Sequence, residues 1–262
     1  MTNNYSKSFS TDKQALNYEN REYDENSYSS VLWEFEKELL TTLITEFRHS
    51  TGGQSIDYLD FASGSGRIIA YVEDKVDTAT GIEVSPAMCA IASKKLKHGK
   101  LICTDITLPD AAIEKKYDLI TAFRFILNAD PELRTIAMKA LSLRLKDEKS
   151  WFIFNNHGNP FSVKLMMWPV HFVRQLYKGR DPACNYLTNA QVYRLAAAAD
   201  LQIIRVIGYG FLGGRIAKIF SKTLACRIES ILAKCPLLPV FGINQCYVAK
   251  RITIPGNAKR SS

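Results

Sequence analysis

The sequence has no run of eighteen apolar residues. Its longest candidate, CPLLPVFGI at 235–243, is short and interrupted by two prolines, so no membrane-spanning helix is expected. The opening MTNNYSKSFSTDKQ lacks the apolar core of a secretory signal. None of the six cysteines (Cys89, Cys103, Cys184, Cys226, Cys235, Cys246) falls in a CxxC pair. That leaves no zinc spacing, and a disulfide framework is not expected in a chain of this length. No internal repeat or low-complexity tract occurs either. These absences lead to the expectation of a reduced, cytoplasmic protein. What is present, 47% hydrophobic and 23% charged residues over 262 positions, suits one large folded domain or one domain with an elaborated lid.

Acidic residues are scarce in one part of the chain only. Residues 160–262 carry 15 Lys and Arg against 3 Asp and Glu, whereas residues 1–159 carry 19 against 23. The net charge of +8 therefore comes from the C-terminal part. Such a balance suits a polyanionic partner, whether nucleic acid, a phosphorylated substrate or an anionic lipid surface; the alternative is a solvated basic face with no partner.

Apolar periodicity divides the chain. Residues 1–28 are polar and rich in Asn and Tyr, and are expected to be flexible. In 29–48, Leu32, Phe35, Leu39, Leu43 and Phe47 recur at steps of three and four, which predicts an amphipathic helix. Strands are predicted at 55–62, 78–85, 100–107, 117–127 and 150–159. Helices are predicted between them at 67–74, 86–96, where Pro86 suits the first turn, and 131–146. This alternation implies a doubly wound α/β fold, a mostly parallel sheet with helices on both faces. Beyond 160 the pattern loosens. Helices are predicted at 161–178 and 188–199, a sixth strand at 201–211, a basic amphipathic helix at 215–234 and a seventh strand at 244–251. In the basic helix Ile216, Phe220, Leu224, Ile228 and Ile231 are expected to share one face, either packed on the core as a lid with a solvated basic face or docked on an anionic membrane surface.

The first strand ends on an acid and runs into glycines, YLDFASGSGR at 58–67. A Gly-x-Gly turn at the carboxyl end of a strand lets a ligand approach the backbone near a helix start. The dinucleotide fingerprint needs a third glycine where this chain has Ile69. S-Adenosylmethionine, which carries an ammonium, a carboxylate, a ribose diol and an adenine, matches the residues better. Asp60 can attract the ammonium. Ala62, Gly64, Gly66 and Arg67 form the loop along the amino-acid tail. Glu83, which is expected at a cleft rather than in the core, can accept hydrogen bonds from both ribose hydroxyls. Asp105 and the Ile106 amide can meet the adenine edge, Met88 and Ile106 can cover its faces, and Phe123 is a further cofactor-binding candidate. Each acid alone is an ordinary strand-end residue; it is the ordered set that carries the argument.

LDFASGSGR, TGIEVSPAM, CTDIT and YDLITAFRFILN resemble the successive motifs of class I S-adenosylmethionine-dependent methyltransferases over about residues 55–160. The resemblance implies a seven-stranded sheet with the last strand antiparallel, insertions after strands five and six, and methyl transfer from S-adenosylmethionine. It implies a single domain over 29–252, with a cofactor half at 29–160 and a substrate or lid half at 161–252, followed by a tail at 253–262. Asp60, Gly64, Gly66, Glu83 and Asp105 match the family's motif positions. Ser63 departs from the Cys or Gly common there.

The acceptor is less legible. Asn128-Ala129-Asp130-Pro131 is not the Asn/Asp-Pro-Pro-aromatic motif of amino-methylating relatives, and Pro131 suits a helix start. No Pro-Cys nucleophile occurs, and Asn155 and Asn156 without an Asp do not make a metal site. Proximity catalysis remains, with or without a base. His157 is the candidate base, against a turn histidine; His171 reads as a packed helix residue. Arg124 is the candidate for holding an anionic acceptor group, against an ion pair with Asp60 or Asp130. Tyr23 and Tyr28 could cover the cofactor. Three readings stay open. The first is a methyltransferase for a small-molecule or lipid-linked acceptor, with peripheral contact to an anionic membrane. The second is an RNA methyltransferase, and the third a non-catalytic S-adenosylmethionine-binding protein.

Overall fold

The computed structural model describes residues 27–107, 114–162, 186–217, 219–235 and 237–252, with backbone alone at 215 and 216. Strands β1 (Asp57–Phe61), β2 (Thr78–Glu83), β3 (Lys100–Cys103), β4 (Leu119–Ala122), β5 (Trp151–Asn156), β6 (Leu201–Tyr209) and β7 (Asn244–Arg251) form one sheet in the order β3-β2-β1-β4-β5-β7-β6. β1 to β5 pair in parallel, and β7 lies antiparallel between β5 and β6. Seven strands, mostly parallel with the last antiparallel, is the architecture expected from the motifs.

Side chains alternate across this sheet with a period of two. Leu59, Phe61, Ile120, Ala122, Phe152, Phe154 and Tyr247 enter one buried cluster. It is covered by helices α4 (Pro131–Leu143) and α5 (Asn189–Ala198), through Met138, Leu141, Val192 and Ala196. Tyr58, Leu119, Ile153, Cys246 and Val248 enter the other, covered by α1 (Tyr28–Ser50) and α2 (Arg67–Val72). The parallel strands are buried on both faces because helices cover both. Local chemistry sets the helix starts. Ser27, Ser85, Asp130 and Thr188 each accept a hydrogen bond from a first-turn amide with the side-chain oxygen. Pro86 and Pro131 occupy the first turns of α3 (Pro86–Ser93) and α4.

Three expectations need correction. The run 117–127 contributes only Leu119–Ala122 to the sheet, because Arg124 at φ 57° turns the chain away. The basic helix expected over 215–234 is two helices, α6 (Gly213–Ala217) and α7 (Lys222–Ala233), with Ser221 capping the second. Its apolar residues do not share a face on the core either. Leu224 and Ile231 are exposed, and Ala225 and Glu229 are the buried positions of α7. The helix expected at 161–178, with His171, lies outside the described residues, as do Tyr23, Cys184 and most of the segment before Tyr28.

Candidate functional site

The strand order reverses between β1 and β4, so the chain leaves these neighbours in opposite directions and a crevice opens at their carboxyl ends. β1 to β5 are parallel, which brings the residues following each of them to this same edge. That one topological fact gathers Asp60, Glu83, Asp105, Phe123, Arg124 and His157, which the sequence spreads over nearly a hundred positions.

Asp60 is fully buried. Its Oδ1 accepts a hydrogen bond from the Thr121 hydroxyl at 2.8 Å. Thr121 has one proton and spends it on Asp60, so the Tyr58 hydroxyl donates to Thr121. Asp60 Oδ2 is buried with no hydrogen-bond partner among the described residues. Burial pushes this carboxyl from its ordinary 3.8 up to about 7; the Thr121 bond and the nearby Ile69 amide only partly oppose it. An orphaned buried carboxylate oxygen is costly unless a donor arrives, and a ligand ammonium would supply one.

The turn after β1 is left-handed at three positions, with φ of 53° at Ala62, 55° at Gly64 and 80° at Gly66. The two glycines serve different ends. A Cβ on Gly64 would meet nothing within 4 Å, so the loop there borders open space. A Cβ on Gly66 would lie 2.8 Å from that of Ala92, so this glycine is needed for α3 to approach the loop. Glu83 ties the loop to the next strand: Oε2 accepts from the Gly64 amide and Oε1 from the Ser85 amide, each at 2.9 Å. It is only 5% exposed, which corrects the expectation of a cleft residue outside the core. Burial raises its carboxyl above the ordinary range despite these amides. The Val84 amide also donates to this carboxylate, which leaves room for one further donor such as a ribose hydroxyl.

Asp105 Oδ1 is engaged in its own turn, accepting from the Thr107 amide at 2.9 Å and hydroxyl at 2.6 Å. Met88, Ile106 and Phe123 are buried at the same edge. Arg67 faces elsewhere than expected: its guanidinium lies 4.7 Å over the Trp33 ring and 3.5 Å from Glu36 Oε2, so it joins α2 to α1. His157 follows the end of β5 and is half-buried. Tyr28 opens α1 and donates to Glu229 Oε1 at 2.6 Å, which ties that end of the helix to α7.

A buried relay reaches Arg124 from the opposite side. The Arg124 amide donates to Asn155 Oδ1, Asn155 Nδ2 donates to the Tyr209 hydroxyl at 3.2 Å, and that hydroxyl donates to Glu36 Oε1 at 2.9 Å. Asn155 and Tyr209 are fully buried and Glu36 nearly so. The relay holds Arg124 in its left-handed conformation, so its side chain is displayed from a fixed backbone. The sequence reading missed Glu36, Thr121, Tyr209 and this role of Asn155. One signal was available: Glu36 interrupts the apolar stripe of α1 between Leu32 and Leu40, where an acid must find a partner.

Strand-end carboxylates and a glycine loop thus meet at the switch point of a doubly wound sheet, the place where such folds bind small molecules. Residues 59–148 match the family model of the methyltransferase domain. No curated protein sequence matches the chain. Among solved structures, magnesium protoporphyrin IX methyltransferase from Synechocystis PCC 6803, with bound S-adenosylhomocysteine, superposes with a TM-score of 0.61 at 11% identity, covering 94% of this chain and 97% of that one. The plantazolicin methyltransferase BpumL, in complex with a pentazolic substrate analogue and S-adenosylhomocysteine, gives 0.57 at 17% identity over 95% of each chain. An S-adenosylmethionine-dependent methyltransferase from Clostridium acetobutylicum ATCC 824 gives 0.52 at 17%, over 81% of this chain and 91% of that one. Residues 59–148 thus carry the likeness to a methyltransferase domain, and the solved S-adenosylmethionine-dependent methyltransferases share the fold of this chain.

Proposed function

We propose that this protein methylates a small-molecule or lipid-linked acceptor at oxygen or nitrogen. The observation that carries the cofactor half of this reading is the buried, unpartnered Oδ2 of Asp60 beside the open space over Gly64. When bound, S-adenosylmethionine supplies an electrophilic methyl group on a sulfonium. Asp60 holds the ammonium of its tail, Glu83 accepts from the ribose diol, and Asp105 with the Ile106 amide meets the adenine. Met88 and Ile106 cover the ring.

On the acceptor side, Arg124 holds an anionic group of the acceptor, and His157 takes the proton that the attacking atom loses. Orienting the acceptor in line with the methyl supplies much of the rate, since the methyl is already activated. Support for a small or lipid-linked acceptor comes from the insertion between β6 and β7, which leaves the sheet at the edge that carries the site. Among the solved neighbours, the compounds named with the structures are magnesium protoporphyrin IX and plantazolicin. The test is incubation of the protein with a cell extract and isotope-labelled S-adenosylmethionine, followed by mass spectrometry of small-molecule, lipid and RNA fractions. Label in the small-molecule or lipid fraction, lost in His157→Ala or Arg124→Ala while cofactor affinity persists, is the expected result. Label confined to RNA would overturn the acceptor class. No turnover to S-adenosylhomocysteine in any fraction would favour a binding protein.

A further inference from the structure

From residue 201 to the end of the sequence the only acidic side chain is Glu229, against ten Lys and Arg. Glu229 is fully buried and its carboxylate is used inside the fold. Oε2 accepts from the Gly210 and Phe211 amides and Oε1 from the Leu212 amide, each at 2.9 Å, and Oε1 also accepts from the Tyr28 hydroxyl. The insertion between β6 and β7 therefore exposes cations and no carboxylate of its own among the described residues.

The outer face of α7 is not an ordinary polar one. The helix packs on α1 and β6 with Ala225 and Glu229 inward. Leu224, Arg227, Ile231 and Lys234 follow one another at steps of three and four and are all exposed, so they form one stripe on the opposite side. A single exposed leucine needs no explanation. Here, however, Ile231 is 68% exposed, and the helix is bracketed by Ile219 at 77% and Leu237 at 79%. The nearest acids belong to the α1 flank: Glu34 pairs with Lys37 at 2.6 Å and faces Lys222 at 3.8 Å, and Glu38 lies with it near Cys226. Lys222 is thus turned to α1 and is not part of the stripe.

We propose that this stripe docks on a bilayer surface that contains anionic lipids. Apolar side chains alternating with cations, with no acid between them, match a helix lying in the plane of such an interface. The charge excludes a neutral surface as the preferred partner, and the exposed isoleucines and leucines give the cations something to insert beside them. The insertion leaves β6 and enters β7 at the sheet edge that carries the candidate site, so docking brings that site to the interface. This last consequence rests on the lipid-linked acceptor of the proposed function; the docking itself does not.

Co-sedimentation of the full chain with phosphatidylcholine vesicles, with and without phosphatidylglycerol, tests the proposal. Binding is expected to the anionic vesicles only, and to fall steeply as salt rises. Arg227→Glu with Lys234→Glu should weaken it at least about tenfold, since each cation at such a surface counts measurably. Ile231→Ser should weaken it as well. S-Adenosylhomocysteine affinity, measured by calorimetry on the same variants, should be unchanged, which reports an intact fold separately from docking. Absence of binding to anionic vesicles at low salt overturns the proposal, as does binding that the charge reversals leave intact. Two other results would reassign the face. One is concentration-dependent dimerisation abolished by Ile231→Ser; the other is retention of RNA at physiological salt that depends on Arg227 and Lys234 while vesicles are not bound.

Discussion

At the scale of single residues, Asp60 links structure to pH. Its carboxyl sits near 7 in the folded chain against an ordinary 3.8, because burial penalises the charge. Between those values the folded chain keeps a proton that the unfolded chain has lost. Stability of the ligand-free protein due to this group therefore falls as pH rises through that window, and the penalty is complete above about 7. An ammonium at Oδ2 favours the ionised form, so ligand binding below pH 7 should release a proton. S-Adenosylhomocysteine affinity is expected to rise from pH 6 to pH 8, and Asp60→Asn should flatten that slope and weaken binding at pH 8. Calorimetry in buffers of different ionisation enthalpy reads both. Glu83 has a second duty that its strand-end position concealed. Glu83→Ala removes the acceptor for the Gly64 and Ser85 amides as well as for the ribose. It is expected to cost about 1–3 kcal/mol of stability in urea denaturation in addition to cofactor affinity. Full retention of stability would show that those amides find water.

At the scale of elements, the insertion after β6 is organised by one carboxylate. The amides of Gly210, Phe211 and Leu212 leave the sheet with no strand partner, and Glu229 gathers them. That requirement turns the Ala225–Glu229 side of α7 inward and leaves Leu224 and Ile231 outside, the reverse of what hydrophobicity alone predicts. The break before α7 follows the same logic: Ser221 accepts from the Leu224 amide and starts a new helix in a direction of its own. Glu229→Ala strands three amides, that of Gly210 buried, and should cost at least about 2 kcal/mol, whereas Tyr28→Phe, which removes a donor to Glu229 and the acceptor of the Gly213 amide, should cost about 1 kcal/mol. Denaturation curves of the two variants check the order. Equal, negligible losses would mean that the turn is solvated and that α7 is held by other contacts.

At the scale of the molecule, a ligand that binds the folded chain alone stabilises all of it. S-Adenosylhomocysteine at a hundred times its dissociation constant should add about 2.7 kcal/mol. A rise in melting temperature with this ligand and none with NAD is the expected pair of results; the reverse would place a dinucleotide in the crevice. The sequence by itself determined the alternation of strands and helices, the glycine loop, and the acids at the ends of β1, β2 and β3, because each is written in a local period or a few adjacent residues. It also determined the edge at which they meet, since parallel strands send all their carboxyl ends one way. Only the tertiary structure decided which side of α7 is buried, that Arg67 turns to Trp33 and Glu36, and that Asn155, Tyr209 and Glu36 hold Arg124 in place. Those contacts join residues far apart in the chain, Glu36 and Tyr209 by 173 positions. A buried polar atom takes whatever partner the packed fold brings within hydrogen-bond reach, and no local pattern encodes that distance.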